Sequence, residues 1–354
     1  MCTVCLDGEN ACPPEDCGPS GGINVLPTPR LTALLIRRIK TNLRIIAAHR
    51  LFDFAKISPY ECSNPSISAR SRSSFSTRSL LSFQKYHVIA VVLGGSYARR
   101  TARPDSDLDV GLYYSKNSPP DIEAIRRCAE TIATPNIPPT VVGYYKWGPW
   151  VNGGAWIQTP TGKLDLLYRN IEQVQRVIDE SQEGLYQHDL QPTFGFVSIT
   201  YLAETKCCLP LFDPQQLLQK FKRSVEIYPA ALQQKMILNC LTIAEFTLSH
   251  AHGFAERGDV LNTIGCLTKI AFLLLQSLFA LNVEYYFGDK GSLEAVDRFP
   301  LQPRRFSNRL QELLAMPMQT QLDLKFATLQ IQTLWKETVS LTEGGYIPRF
   351  GLLD

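Results

Sequence analysis

Val88-Ile-Ala-Val-Val-Leu-Gly-Gly-Ser-Tyr-Ala-Arg-Arg-Thr-Ala-Arg-Pro-Asp-Ser-Asp-Leu-Asp-Val-Gly-Leu-Tyr113 is the stretch on which the rest of the chain depends. An apolar, β-branched run from Tyr86 to Leu93 reads as a buried strand and stops at Gly94-Gly95-Ser96. Residues 97–103 allow one or two helical turns before Pro104-Asp105-Ser106 breaks them. A second strand is expected from Asp107 to Tyr114. Side chains alternate across a strand, so Asp107 and Asp109 share one face while Leu108 and Val110 point to the other. Two neighbouring anions repel, and a divalent cation between them is the usual remedy.

Downstream, Asp121 to Ile132 has helical spacing, and Val141 to Tyr145 reads as a third strand followed by a Trp147 to Gly154 loop. Ala155-Trp-Ile-Gln-Thr-Pro-Thr-Gly-Lys-Leu-Asp-Leu-Leu-Tyr168 reads as a hairpin turning at Pro-Thr-Gly. Its second strand carries Asp165 among leucines. An acid there is costly unless its charge is compensated, so Asp165 joins the candidate carboxylates. Beyond Asn170 the pattern turns helical to the end, with expected helices at 171–181, 214–224, 229–257, 259–286, 303–316 and 319–342.

The spacing Gly95-Ser96, then Asp107-x-Asp109, then a later strand Asp resembles the polymerase-β-like nucleotidyltransferases. Gly-Ser-Tyr-Ala-Arg-x-x-x-x-Pro-Asp-Ser-Asp-Leu-Asp is similar to the smaller bacterial members, the minimal nucleotidyltransferases and drug adenylyltransferases. The resemblance implies an α+β fold: a small mixed β-sheet catalytic domain at 83–172, then an all-α helical substrate-binding domain at 173–354. It implies Asp107, Asp109 and Asp165 as catalytic residues and ligands of two Mg2+ ions. Gly94, Gly95 and Ser96 would approach a nucleoside triphosphate at the start of a short helix, and Arg99 would balance its charge. The expected reaction moves a nucleoside monophosphate to a hydroxyl of a small-molecule acceptor and releases pyrophosphate. A protein or RNA acceptor and a catalytically impaired binding module are the alternatives. One departure stands inside the motif: where the family usually has glycine, this chain has Arg100. If that position is left-handed, a side chain costs about 1–2 kcal/mol there.

Each residue also has a plainer reading. Asp105 fits a turn after Pro104, and Asp259 a helix cap. Tyr144, Tyr145, Trp147 and Trp150 suit either base stacking or packing. The stretch around Gly258, Asn262 and Asn282 to Lys290 offers polar groups to an acceptor site, and His188 and the other histidines form no metal-ligand spacing.

A chain of 354 residues, 45% of them hydrophobic, is long enough for two domains. Residues 1–85 hold 11 Lys+Arg against 6 Asp+Glu, leaving 25 basic against 27 acidic residues in the body. That near-neutral body argues against a nucleic-acid-gripping surface. Residues 1–82 read as a poorly ordered, basic and Ser-rich extension, and Cys2, Cys5, Cys12 and Cys17 are spaced so that a zinc knuckle is an alternative there. Scattered cysteines and a polar start without a signal peptide point to a reducing cytoplasm. The apolar run from Ile264 to Leu281 is broken by Lys269 and Gln276, which suits a buried helix and no membrane span.

Overall fold

The computed structural model describes residues 87–351. The N-terminal extension, its cysteines and the expected domain start at residue 83 lie outside the described residues.

The first part is a six-stranded mixed sheet in the order β3-β4-β5-β2-β1-β8. Its strands are β1 (Val88–Leu93), β2 (Leu108–Tyr114), β3 (Thr140–Val141), β4 (Gly154–Thr159), β5 (Gly162–Asn170) and β8 (Leu209–Phe212). The β2–β5 pair is parallel and every other neighbouring pair is antiparallel. The expected hairpin is β4–β5, closed by Thr159↔Gly162. Two short helices interrupt the strands: α1 (Gly95–Ala98) and α2 (Ile122–Ile132). Asp121 caps α2 by accepting the backbone N–H of Glu123 and Ala124.

The expected third strand at 141–145 is shorter than its sequence suggests. Only Thr140–Val141 pairs, and Tyr145 turns away with φ of 60° while its N–H donates to the Asn152 side chain at 2.9 Å. Asn152 is fully buried and also donates to the Tyr114 hydroxyl, so the loop is fixed by side-chain bonds in place of a ladder.

Helices α3 (Ile171–Gln182), α4 (Thr200–Cys207), α5 (Leu217–Ser224), α6 (Ala230–Glu256), α7 (Val260–Leu281), α8 (Ser292–Val296), α9 (Phe306–Ala315) and α10 (Gln321–Ser340) follow. The expected all-helical run is corrected at two places. A small hairpin, β6 (His188–Asp189) with β7 (Phe196–Val197), precedes α4, and β8 returns to the sheet edge beside β1. The boundary expected after residue 172 therefore does not part sheet from helices. Strand β8 is four residues long and contains Pro210, as an edge strand tolerates. Helix α4 escapes a periodicity search because both its sides are buried, Thr200 through Ala203 and Thr205 together.

Helices α6 and α7 form a hairpin turning at Gly258, whose φ is +68°. The α7 segment is long and apolar enough to cross a membrane by composition. Here Leu267, Ile270, Leu274 and Leu278 are fully buried in the protein core, and the helix ends at Leu281, short of the expected Tyr286. Trp335 of α10 is also fully buried, its indole N–H donating to the Leu241 carbonyl at 3.3 Å.

Candidate active site

The turn after β1 is tied to β2 by one backbone bond, Gly94 N–H to the Asp109 carbonyl at 2.9 Å. Gly94 is extended, with φ of −116°, and a methyl group there would make only ordinary contacts at 3.8 Å. Gly95 differs in both respects. Its φ is +57°, and a Cβ would overlap the Asp109 carboxylate and lie 2.9 Å from the Asp109 Cβ. Only glycine lets the turn lie this close to that acid. Ser96 is half-buried on α1, whose four residues make a weak helix dipole.

Asp109 and Asp165 are directly paired across the parallel β2–β5 ladder, so both project from the same face. Asp107 just precedes β2, half-buried. Asp109 is pushed up to about 6, first by burial and then by the charges of Asp165, Glu204 and Asp107, with Lys290 opposing. Burial also raises Asp165, helped by Asp107 and opposed by Lys163 and Lys290. The three carboxylates are thus electrostatic neighbours on one open sheet end.

Among the described residues no three His, Cys, Asp or Glu side chains are gathered closely enough to hold a metal ion. The donor chemistry nevertheless fits Mg2+: three carboxylates, oxygen atoms only, with Asp109 and Asp165 held above the ordinary carboxylate range by burial and by charges that a cation would offset.

Arg99, half-buried, places its guanidinium 4.4 Å from the centre of the Phe287 ring. Burial lowers its pKa, while Cys207, Asp109 and Glu204 oppose that shift. Arg100 adopts φ of 60°, the left-handed conformation that a glycine would take without strain, and its N–H donates to the Tyr97 carbonyl at 3.2 Å. Asp105 is exposed in the Pro104-Asp105 turn, which Ser106 closes by accepting the Arg103 N–H at 2.8 Å.

Some of the residues facing this site carry no signal in the sequence. Glu204 of α4 accepts a two-pronged ion pair from Arg169, both bonds at 2.8 Å, with Arg169 only 4% exposed. Lys290 and Phe287 come from the segment after α7, and both fall within the Asn282 to Lys290 stretch singled out above for its polar groups. Trp156, 53% exposed, pairs directly with Asp165 across β4–β5. Of the aromatic loop, Trp150 is core, 4% exposed against Phe196 and Tyr201, and Tyr144 packs on Tyr114 and Tyr168. Tyr145 is exposed, its hydroxyl accepting from the Asn170 side chain at 2.8 Å, and Trp147 stacks on Trp156 at 4.8 Å. Asp259 caps α7, accepting from Asn262 N–H at 3.1 Å and from the Asn262 side chain at 2.7 Å.

Residues 77–144 match the family described as "Nucleotidyltransferase domain", a span that includes the glycine turn, Asp107 and Asp109. Among solved structures the chain is similar to a nucleotidyltransferase-like protein from Exiguobacterium sibiricum 255-15, with a TM-score of 0.39 and 9% identity over 74% of this chain and 75% of that one. No curated protein matches at a significant level. With the family match spanning the turn and the first two carboxylates, the chain carries a polymerase-β-like nucleotidyltransferase domain and is a nucleotidyltransferase.

Proposed function

We propose that the protein transfers a nucleoside monophosphate from a triphosphate to a hydroxyl of a small molecule, with Mg2+ and release of pyrophosphate. The observation that carries this reading is the row across the sheet: Gly95 against Asp109, and Asp109 paired with Asp165. The Gly94-Gly95-Ser96 turn and Arg99 take the β- and γ-phosphates. Asp107, Asp109 and Asp165 hold Mg2+, which when bound offsets charge on the phosphates and lowers the pKa of the attacking hydroxyl.

The acceptor oxygen forms a bond to the α-phosphorus as the bond to the bridging oxygen breaks, its electron pair leaving on pyrophosphate. The hydroxyl proton passes to Asp165, the carboxylate on the acceptor side of the pair. The sheet, β8 included, and the helical part that supplies Phe287 and Lys290 enclose the acceptor between them, a reading supported by Phe287 against Arg99 and by the charge of Lys290 near Asp109 and Asp165. The near-neutral body favours a small acceptor over RNA. All cysteines among the described residues are free, which supports a reducing compartment such as the cytoplasm.

The test is pyrophosphate release with Mg2+, each of the four triphosphates and a panel of hydroxylated acceptors. Activity is expected to disappear in Asp107→Ala and to fall by about 100-fold or more in Asp165→Asn with the triphosphate KM little changed. No binding of any triphosphate by the wild type would sink the proposal.

A further inference from the structure

The ladder register extends the catalytic row past Asp165. Reading across the sheet, the order is the Gly94 turn, Asp109, Asp165, Trp156 and Thr140, since Trp156 pairs with both Asp165 and Thr140. Paired residues share a face, so the Trp156 indole stands on the catalytic face, one strand spacing (about 4.8 Å) from Asp165.

Its exposure has a structural cause. Trp147 crosses Gly154, two residues before Trp156 on the same face, where a Cβ would come within 2.9 Å of the indole. The two indoles then stack with centroids 4.8 Å apart and planes 20° from parallel. Trp156 is braced from one side and left 53% exposed toward the other, so one face of a wide apolar ring is open beside the carboxylates.

In-line displacement puts the leaving and attacking oxygens on opposite sides of the α-phosphorus. With the phosphates on the Gly95 side of the Asp109–Asp165 pair, the attacking hydroxyl arrives from the Trp156 side. A saturated hydroxylated ring matches that position. Its faces carry C–H bonds and its rim carries hydroxyls, so a ring lying flat on Trp156 presents a hydroxyl edgewise to Asp165 about one ring width away. A stacked nucleobase would carry its sugar hydroxyl further off. A polynucleotide would also need a basic track, and the basic side chains that act on these carboxylates, Arg99, Lys163 and Lys290, come from three separate segments.

We propose that the stacked Trp147–Trp156 pair is the acceptor platform, which takes the apolar face of a sugar or cyclitol ring and aims one rim hydroxyl at the Asp109–Asp165 pair. This rests on the nucleotidyl-transfer reading above. The intact protein is titrated by ligand-observed NMR with glucosamine, 2-deoxystreptamine and myo-inositol, with adenosine, and with a single-stranded RNA hexamer, each in the presence of Mg2+ and a non-hydrolysable ATP analogue. At least one saturated ring is expected to bind, at least 10-fold more weakly in Trp156→Leu and within threefold in Trp156→Tyr, with the affinity for the ATP analogue unchanged. Binding of only adenosine or RNA overturns the platform, as does ring binding indifferent to Trp156→Leu. If the ATP analogue binds and no saturated ring does, the platform alone fails. If the wild type binds neither the ATP analogue nor the corresponding GTP, CTP and UTP analogues, the nucleotidyl-transfer reading fails and the platform's role with it.

Discussion

Gly95 and Asp109 are packed so closely that no side chain fits between them: a Cβ on residue 95 would overlap the Asp109 carboxylate and stand 2.9 Å from its Cβ. The neighbouring Gly94 has 3.8 Å of clearance to the same residue and an extended backbone. Gly95→Ala is therefore expected to lose about 1–2 kcal/mol from the left-handed backbone alone and to abolish triphosphate binding by displacing Asp109. Gly94→Ala should melt within about a degree of the wild type. Thermal denaturation and calorimetric ATP titration of the two variants check the contrast.

Asp109 makes the metal-free protein sensitive to pH. Its folded pKa of about 6 lies above the usual carboxylate value, so its charged form is the disfavoured one in the folded state. Stability is present in full below the unfolded pKa and is lost as pH rises through about 6. Asp109→Asn removes that penalty. It should stabilise the metal-free chain by about 1–3 kcal/mol at pH 7.5 and by almost nothing at pH 3, while abolishing turnover. Urea denaturation at the two pH values, with chelator, reads the difference. Equal stabilisation at both would refute the charge argument.

Arg100 holds a left-handed backbone and is exposed. Arg100→Gly relieves the Cβ strain but loosens the unfolded chain, so a net gain of about 0.5–1 kcal/mol is expected. The turn is already formed with arginine in place, its N–H bonded to Tyr97. Pyrophosphate release should accordingly change less than threefold. A large gain in turnover would show instead that arginine impairs the phosphate turn.

The Arg169–Glu204 pair joins β5 to α4 through two bonds of 2.8 Å, and the neighbouring glutamate drives the Arg169 pKa upward despite burial. Glu204→Gln leaves a buried guanidinium uncompensated and should cost about 3–5 kcal/mol. Arg169→Met with Glu204→Leu together should recover much of it. A double-mutant cycle by chemical denaturation measures the coupling.

The β1–turn–β2 unit, the β4–β5 hairpin and the long helices were legible because each carries a local signal: an apolar run bounded by glycine, a two-residue turn, a helical period. The three carboxylates were legible for a related reason, since an acid inside an apolar strand is anomalous by itself. Local signals failed where burial is two-sided or pairing is remote. Helix α4 has no polar face to mark it, and β8 finds β1 across more than a hundred residues of chain. Glu204, Phe287 and Trp156 look like ordinary surface or core residues until the ladder register and the helix packing bring them to the site.

Sequence alone was enough for the type of domain, through its motif, and for naming Asp107, Asp109 and Asp165 as the candidate carboxylates, because spacing along a strand and an acid among apolar neighbours are local properties of the chain. Only tertiary structure decided that Gly95, and not Gly94, is sterically obligatory, that residue 100 is left-handed, and that Trp156 stands beside Asp165. Those relations depend on which strands pair and in what register, and register is settled by contacts between segments far apart in the chain.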